Sequence, residues 1–354
     1  MALTVHMITP VLSPGDAIGN YIQSLVRILR NWSVDVRLYA DYPNPHFALP
    51  HYATASYRPT GTDILWLHFS IEAPSLDLLY TSPDFKIFDS HGVSPAALFH
   101  GYNPYLESLC AAGAARLKTF APHVDLALAH TNYIVDELRA HHFRRIRTLP
   151  LVVDTARFTG QGDAEWEPLV SQLDYLLFVG RIVPQKGLAR ALQLFAALHT
   201  QQPQLQFLLV GSHPLPTYSA ELEQRVAELG LTDAVIFTGP ISDPQTLSTF
   251  YRHARFYLCL SEWESFCVPL VEAMYCGTPV LAHDVAPLPE TMGPGGILLR
   301  GGPADMVQQI QAVAGDAGHY AALQRAGQRH VQQYTDQALL LQLRTLFAAL
   351  ANWS

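Results

Sequence analysis

The chain has 354 residues, 49% apolar and 15% charged, a composition of the soluble globular kind and a length that suits two domains rather than one core. Its net charge of −8 is evenly spread, with 12 Lys and Arg against 16 Asp and Glu in residues 1–168 and 10 against 14 beyond, which argues against a nucleic-acid-binding protein. No apolar run approaches the roughly 18–20 residues of a membrane span, and "MALTVHMITP" reads as a buried strand, not a signal peptide.

In chain order, "TVHMITP" (4–10) is strand-like, and "NYIQSLVRILR" (20–30) places Ile22, Leu25, Val26 and Leu29 on one helical stripe. Strands follow at 33–40, 63–70, 86–92 and 124–131, then a helix at 133–143 and a return to the sheet at 146–154. "TGQGDAEWEP" (159–168) breaks the rhythm and reads as an interdomain linker. Beyond it the alternation resumes. Strands are expected at 175–180, 205–211, 234–239, 256–261 and 279–284, and helices at 187–200 and 218–230. The tail 335–354 is a long helix with no strand after it. Two rounds of strand–helix alternation predict an α/β protein of two doubly wound parallel sheets.

Four features carry chemistry. "SEWESFCVPLVEAMYCGTPVLA" (261–282) holds Glu264 and Glu272 on either side of Pro269 in an otherwise apolar run. Pro269 suits a first helical turn and Gly277 a C-terminal cap. That puts Glu264 in the entering loop and Glu272 a turn inside the helix. The N–H groups of Phe266, Cys267 and Val268 then lie at the positive end of a helix dipole, a seat for an anion. Carboxylates there suit sugar hydroxyls beside a phosphate; a capping carboxylate plus an exposed helix Glu is the plainer alternative.

"FVGRIVPQKGLARAL" (178–192) runs from a strand ending in Gly180 through Arg181, Lys186 and Gly187 into a helix. Lys186 is one of only three lysines, beside 19 arginines, which marks Arg181 and Lys186 as an oxyanion clamp against two solvated loop charges. "SPGDAIGNYI" (13–22) brings Gly15 and Gly19 to the start of a helix, although it is not a GxGxxG fingerprint. Finally, His68, His91 and His130 each end a predicted strand of the first half, on the edge where such sheets bind ligands.

Other classes lack support. There is no HExxH, HxxxH or Asp-x-Asp for a metal, no GxSxG elbow and no GxxxxGK[ST] loop. Cys110, Cys259, Cys267 and Cys276 show no CxxC spacing, and structural thiols in a reducing cytoplasm are favoured over a metal or redox site.

"VGRIVPQKG", "FTGPIS", the Glu264–Met274 run and "CGTPVLA" together resemble the retaining, nucleotide-sugar-dependent glycosyltransferases of family 4, which have the GT-B fold. "GDAIGN", "LHFSI", "HGVSP" and "DLALAHTNYIVDEL" are similar to the acceptor-side half of bacterial members. The resemblance implies two Rossmann-like domains facing across a cleft: an acceptor domain at 1–165, a donor domain at 166–335, and a last helix, 336–354, crossing back to the first. It implies that Arg181 and Lys186 neutralise the donor diphosphate, with Gly19, Gly239 and the backbone of Phe266, Cys267 and Val268 around it. Glu272 would bind the ribose, Glu264 the transferred sugar, and His91 would approach that sugar from the first domain. Ser265 departs from the family's usual glycine, so the donor sugar is not implied.

The expected activity is transfer of a hexose, with retention, from a nucleoside diphosphate sugar to a hydroxyl in polysaccharide, glycolipid or natural-product synthesis. No metal or other cofactor is expected. The acceptor would be a sugar, a lipid-linked sugar or a natural product. The location would be cytoplasmic, with a peripheral membrane contact left open by the basic run "HHFRRIRTLP" (141–150), which otherwise reads as an exposed loop. Rival readings are a sugar-nucleotide epimerase of the same architecture and a sugar-nucleotide-binding protein without catalysis.

Overall fold

A computed structural model describes residues 3–13, 15–160 and 162–351. Parts of the expected first strand (1–2), glycine loop (Pro14), linker (Gln161) and tail helix (352–354) lie outside the described residues. The chain divides into two units, one of residues 1–100, 104–154 and 334–354, the other of residues 101–103 and 155–333.

The first unit is built on seven parallel strands: β1 (Thr4–Val11), β2 (Asp35–Tyr42), β3 (Tyr52–Ala53), β4 (Ile64–Phe69), β5 (Phe85–Ser90), β6 (Leu126–Ala129) and β7 (Ile146–Thr148). Their order is β3-β2-β1-β4-β5-β6-β7. Winding runs one way from β1 to β3 and the other way from β4 to β7, so the order reverses between β1 and β4. At such a reversal the crossovers diverge and leave a crevice at the strands' C-terminal ends. β4 is buried at every residue, as a central parallel strand covered on both faces must be.

The helix Ala17–Asn31 starts three residues before the expected stripe, because the Asp16 carboxylate accepts the N–H groups of Ile18 and Gly19 and caps it there. Gly19 therefore lies within the first turn rather than in the loop before it. A Cβ at Gly19 would stand 3.0 Å from the Ser13 carbonyl oxygen and 3.1 Å from the Phe47 ring, so the close approach of the loop after β1 depends on its absence.

Sequence patterning misses the seventeen-residue helix Pro104–Phe120. Its buried positions, Cys110, Gly113, Leu117 and Phe120, are sparse and partly small, so no strong stripe announces it. The tail helix Asp336–Ala351 belongs to the first unit. Leu339 and Leu343 are buried, Asp336 pairs with Arg27, and Phe347 meets the Trp32 ring edge-on at 6.1 Å. His141–Arg145 is the turn between the helix Asn132–Ala140 and β7.

The second unit has six parallel strands: β8 (Tyr175–Val179), β9 (Gln206–Val210), β10 (Val235–Gly239), β11 (Phe256–Cys259), β12 (Val280–His283) and β13 (Gly296–Leu299). The order β10-β9-β8-β11-β12-β13 reverses between β8 and β11. Both chemistry-bearing loops of this half, 180–187 after β8 and 260–267 after β11, leave the sheet at that reversal. Gly187 locks them together. It holds φ +62°, and a Cβ there would fall 1.9 Å from the Leu260 carbonyl oxygen, an overlap that excludes every other residue.

Candidate functional site

In the second unit the helix Val268–Tyr275 starts with Cys267 as N-cap and Pro269 in its first turn. Glu264 lies in the loop before it and Glu272 lies a turn inside, both buried. Lys186 Nζ donates to Glu264 Oε1 at 2.7 Å, and Ser261 Oγ donates to the same oxygen at 2.8 Å. Burial works against the Lys186 ammonium, yet the Glu264 carboxylate holds its pKa above the ordinary lysine value. The lysine stays charged.

Glu272 has a different set of partners. Arg157 Nη2 reaches Glu272 Oε1 at 2.5 Å, and Tyr251 OH donates to Oε2 at 2.9 Å. Residues around Arg157 are themselves pinned to this unit. Arg252 donates to the carbonyls of Phe158 and Gly160, and Gln245 to that of Arg157. Arg181 is exposed and its side chain has no hydrogen-bonding or ionic partner among the described residues. Phe266 and Cys267 are buried, Val268 is half-buried, and Gly239 ends β10 with φ +74° and open space where a Cβ would be.

In the first unit, His91 belongs to a buried cluster at the ends of β4, β5 and β6. The register pairs His68 with Asp89, so neighbouring strands deliver both side chains to one place. His68 Nδ1 lies 3.0 Å from His91 Nε2 and 3.5 Å from Asp89 Oδ2. Trp66 Nε1 donates to Asp89 Oδ2 at 2.8 Å, and His130 Nε2 stands 3.0 Å from Asp89 Oδ1. A carbonyl only accepts, so the 2.7 Å contact of His130 Nδ1 with Leu149 O places a proton on that nitrogen. Burial pushes His68 down to about 4 and His91 well below the usual histidine range, with His130 also acting against protonation of His91. Burial alone would raise Asp89, but His130, His91 and His68 hold it well below the carboxylate range. The result is an ionised carboxylate among imidazoles, two of which, His68 and His91, are held neutral. His68 Nε2 and His91 Nδ1 are buried without a hydrogen-bond partner among the described residues.

Two groups have metal-compatible spacing among the described residues, His68–Asp89–His91 and Cys259–Glu264–Cys267, each with ligand atoms within 4.8 Å. The second contains the Lys186 ammonium on Glu264, which opposes a cation.

Sequence reasoning passed over Asp89, Arg157, Tyr251 and Ser261. Asp89 alone left a trace: a single carboxylate in the apolar strand "KIFDS" needs a buried partner. Arg157 and Tyr251 reach Glu272 only through tertiary folding, whereas Ser261 stands three residues before Glu264 and reads as an ordinary loop serine.

The family described as "Glycosyl transferases group 1" matches residues 165–330. The chain carries a glycosyl transferases group 1 domain. That group 1 domain contains Arg181, Lys186, Gly239, Glu264 and Glu272, while Arg157 lies just before the matched span. Among relatives, a D-inositol 3-phosphate glycosyltransferase of Jonesia denitrificans is 30% identical over 58% of this chain and 50% of that protein. A GDP-mannose:cellobiosyl-diphosphopolyprenol alpha-mannosyltransferase of Xanthomonas campestris is 30% identical over 54% of this chain and 49% of that protein. The chain thus aligns with about half the length of the curated relatives it matches. In fold, it is similar to sucrose-phosphate synthase from Thermosynechococcus elongatus, with a TM-score of 0.79 at 20% identity, covering 99% of this chain and 100% of that one. The fold is GT-B, with two Rossmann-like units. No helix among the described residues is long and apolar enough to cross a membrane.

Proposed function

We propose that the protein is a glycosyltransferase that moves a hexose from a nucleoside diphosphate sugar to an acceptor hydroxyl with retention of configuration. The observation that carries this reading is the convergence of Lys186 and Glu264 at the start of the helix Val268–Tyr275, where the sheet order reverses within the group 1 domain. As the glycosidic bond breaks, the leaving diphosphate gains negative charge. Lys186, Arg181 and the helix N-terminus meet that charge without a metal. Glu272 takes the ribose hydroxyls and Glu264 a hydroxyl of the transferred sugar. The same reading assigns Gly19 and His91 of the first unit to the donor, and His91 Nδ1 is buried without a hydrogen-bond partner among the described residues. A leaving-group oxygen takes the acceptor proton.

The names of the relatives support a nucleotide-sugar donor and a sugar or lipid-linked acceptor. Incubation with labelled nucleoside diphosphate sugars and no acceptor tests the reading. Slow release of free sugar with the nucleoside diphosphate is expected. Epimerised donor would mean an epimerase, and an unchanged donor that still binds would mean a protein without catalysis. A thermal-shift panel of donors identifies which base and sugar to use, because a ligand bound only by the folded state raises its stability.

A further inference from the structure

Two of the four cysteines meet inside the group 1 domain. Cys259 ends β11, Cys267 caps the helix Val268–Tyr275, and their sulfurs lie 3.8 Å apart, with both residues buried. Bonded sulfurs stand about 2.05 Å apart, so a closure of roughly 2 Å would join them. Cys267 holds φ +79° and ψ +74°, the left-handed region that costs a residue with a Cβ about 1–2 kcal/mol and a glycine nothing. The chain accepts this strain at a position that puts one thiol against another.

The two thiols are chemically unequal. Cys267 hydrogen-bonds to Cys259 and holds the Cys259 thiol below the ordinary range, despite burial; the same contact, with burial, pushes Cys267 up. Cys259 is therefore the readier nucleophile and Cys267 its proton donor. Burial pushes Cys276, just past the other end of the same helix, up to about 12. A soft cation on Cys259, Glu264 and Cys267 is opposed by the Lys186 ammonium, 2.7 Å from Glu264.

We propose that Cys259 and Cys267 are an oxidative modification site, closing with hydrogen peroxide to a reversible intramolecular disulfide that withdraws the nucleoside diphosphate seat. The Cys259 thiolate attacks a peroxide oxygen and becomes a sulfenic acid, and hydroxide leaves and takes up a proton to give water. The Cys267 sulfur then displaces the sulfenic hydroxyl as a second water, so two thiols and one peroxide give one disulfide and two waters. The loop between the two sulfurs carries Ser261 and Glu264, the partners that hold Lys186. Drawing Cys267 toward β11 displaces both that pair and the helix N-terminus. The effect on nucleotide binding rests on the proposed function; the bond itself does not.

The test uses the full chain, reduced with dithiothreitol, freed of it, and exposed to hydrogen peroxide. Non-reducing cleavage after Glu262 and Glu264 leaves the two cysteine peptides joined only through Cys259–Cys267. The expected result is that crosslink, an intact mass lower by two hydrogens, and calorimetric affinity for UDP or GDP reduced about tenfold or more, the scale of a displaced helix N-terminus. Dithiothreitol should restore both. Cys259→Ala, compared with its own reduced form, should show neither crosslink nor change in affinity. Oxidation that lands on Cys110 or Cys276 without the crosslink would overturn the proposal, as would a crosslink that leaves nucleotide affinity unchanged. Reduced protein that binds neither nucleotide counts against the glycosyltransferase reading, while the crosslink, read by mass, still decides whether the disulfide forms.

Discussion

Lys186 Nζ and Glu264 Oε1 lie 2.7 Å apart, with side chains only 15% and 7% exposed. On the proposed reading, the lysine that meets the diphosphate is thus held by the carboxylate that meets the sugar. The pairing keeps the lysine charged and orients both side chains before a ligand arrives, and that preorganisation is what electrostatic catalysis requires. It also links function to stability at this one contact.

The first prediction separates the two effects. Lys186→Ala should cut turnover about a hundredfold, as loss of a preorganised charge donor does. It should also cost on the order of 3 kcal/mol of stability, because Glu264 is left buried and unpaired. Arg181→Ala should lose comparable turnover with little change in stability, since its exposed side chain has no partner to abandon among the described residues. Urea unfolding and steady-state rates on both variants check this. Wild-type turnover in folded Lys186→Ala protein would remove the lysine from the phosphate clamp.

The second prediction concerns metals. With Lys186, Arg181 and a helix N-terminus carrying the leaving-group charge, turnover should persist in excess EDTA. Complete loss in EDTA, reversed by Mg²⁺ or Mn²⁺, would mean that a cation does this work instead.

The third prediction follows from the histidine cluster. Burial pushes His68 down to about 4, against an ordinary value near 6.5. Between those two values the unfolded chain binds a proton that the folded chain refuses, so stability rises with pH across that window. His91, also held below the ordinary value, acts in the same direction. Urea midpoints measured from pH 7 down to pH 4 should therefore fall steadily, and His68→Gln should flatten the slope even where it lowers the stability itself. An unchanged slope in His68→Gln would show that His68 takes up its proton without hindrance in the folded protein.

Much of this was legible in the sequence because parallel strands buried on both faces read as continuous apolar runs. β4, β8, β9, β11 and β12 fall within two residues of their expected bounds for that reason. Helices such as Leu188–Gln201 and Pro216–Glu228 were equally plain, whereas Pro104–Phe120, with few large buried residues, was silent, and Pro244–His253, Pro303–Ala314 and Ala317–His330 went unread as well. At the site, spacing located Lys186, Glu264 and Glu272 because unusual residues interrupted a strand-to-helix pattern. What it could not supply was their neighbours. Arg157 meets Glu272 across 115 residues and Tyr251 meets it across 21, and no local period encodes either contact. The Cys259–Cys267 contact escaped for a related reason: eight residues of irregular loop fold back on themselves, and a CxxC search looks only for shorter returns.

The last prediction separates the two glutamates. Glu272 should hold the ribose, which does not change during the reaction, so its contribution is equal in the ground and transition states. Glu272→Gln should weaken nucleoside diphosphate and intact donor together and leave kcat nearly unchanged. Its partners sharpen the test: Tyr251 can still donate to the amide, but Arg157 loses its ionic partner. On the proposed reading Glu264 lies beside the sugar, where positive charge develops as the bond breaks. Glu264→Gln keeps the shape, removes the charge and frees Lys186, so kcat should fall far more than affinity for the bare diphosphate, which gains an unengaged lysine. Calorimetry with UDP or GDP and steady-state kinetics on both variants decide it. Equal losses of nucleotide affinity with kcat intact in both would mean that Glu264 does not face the reacting sugar, and that the two carboxylates share one binding role.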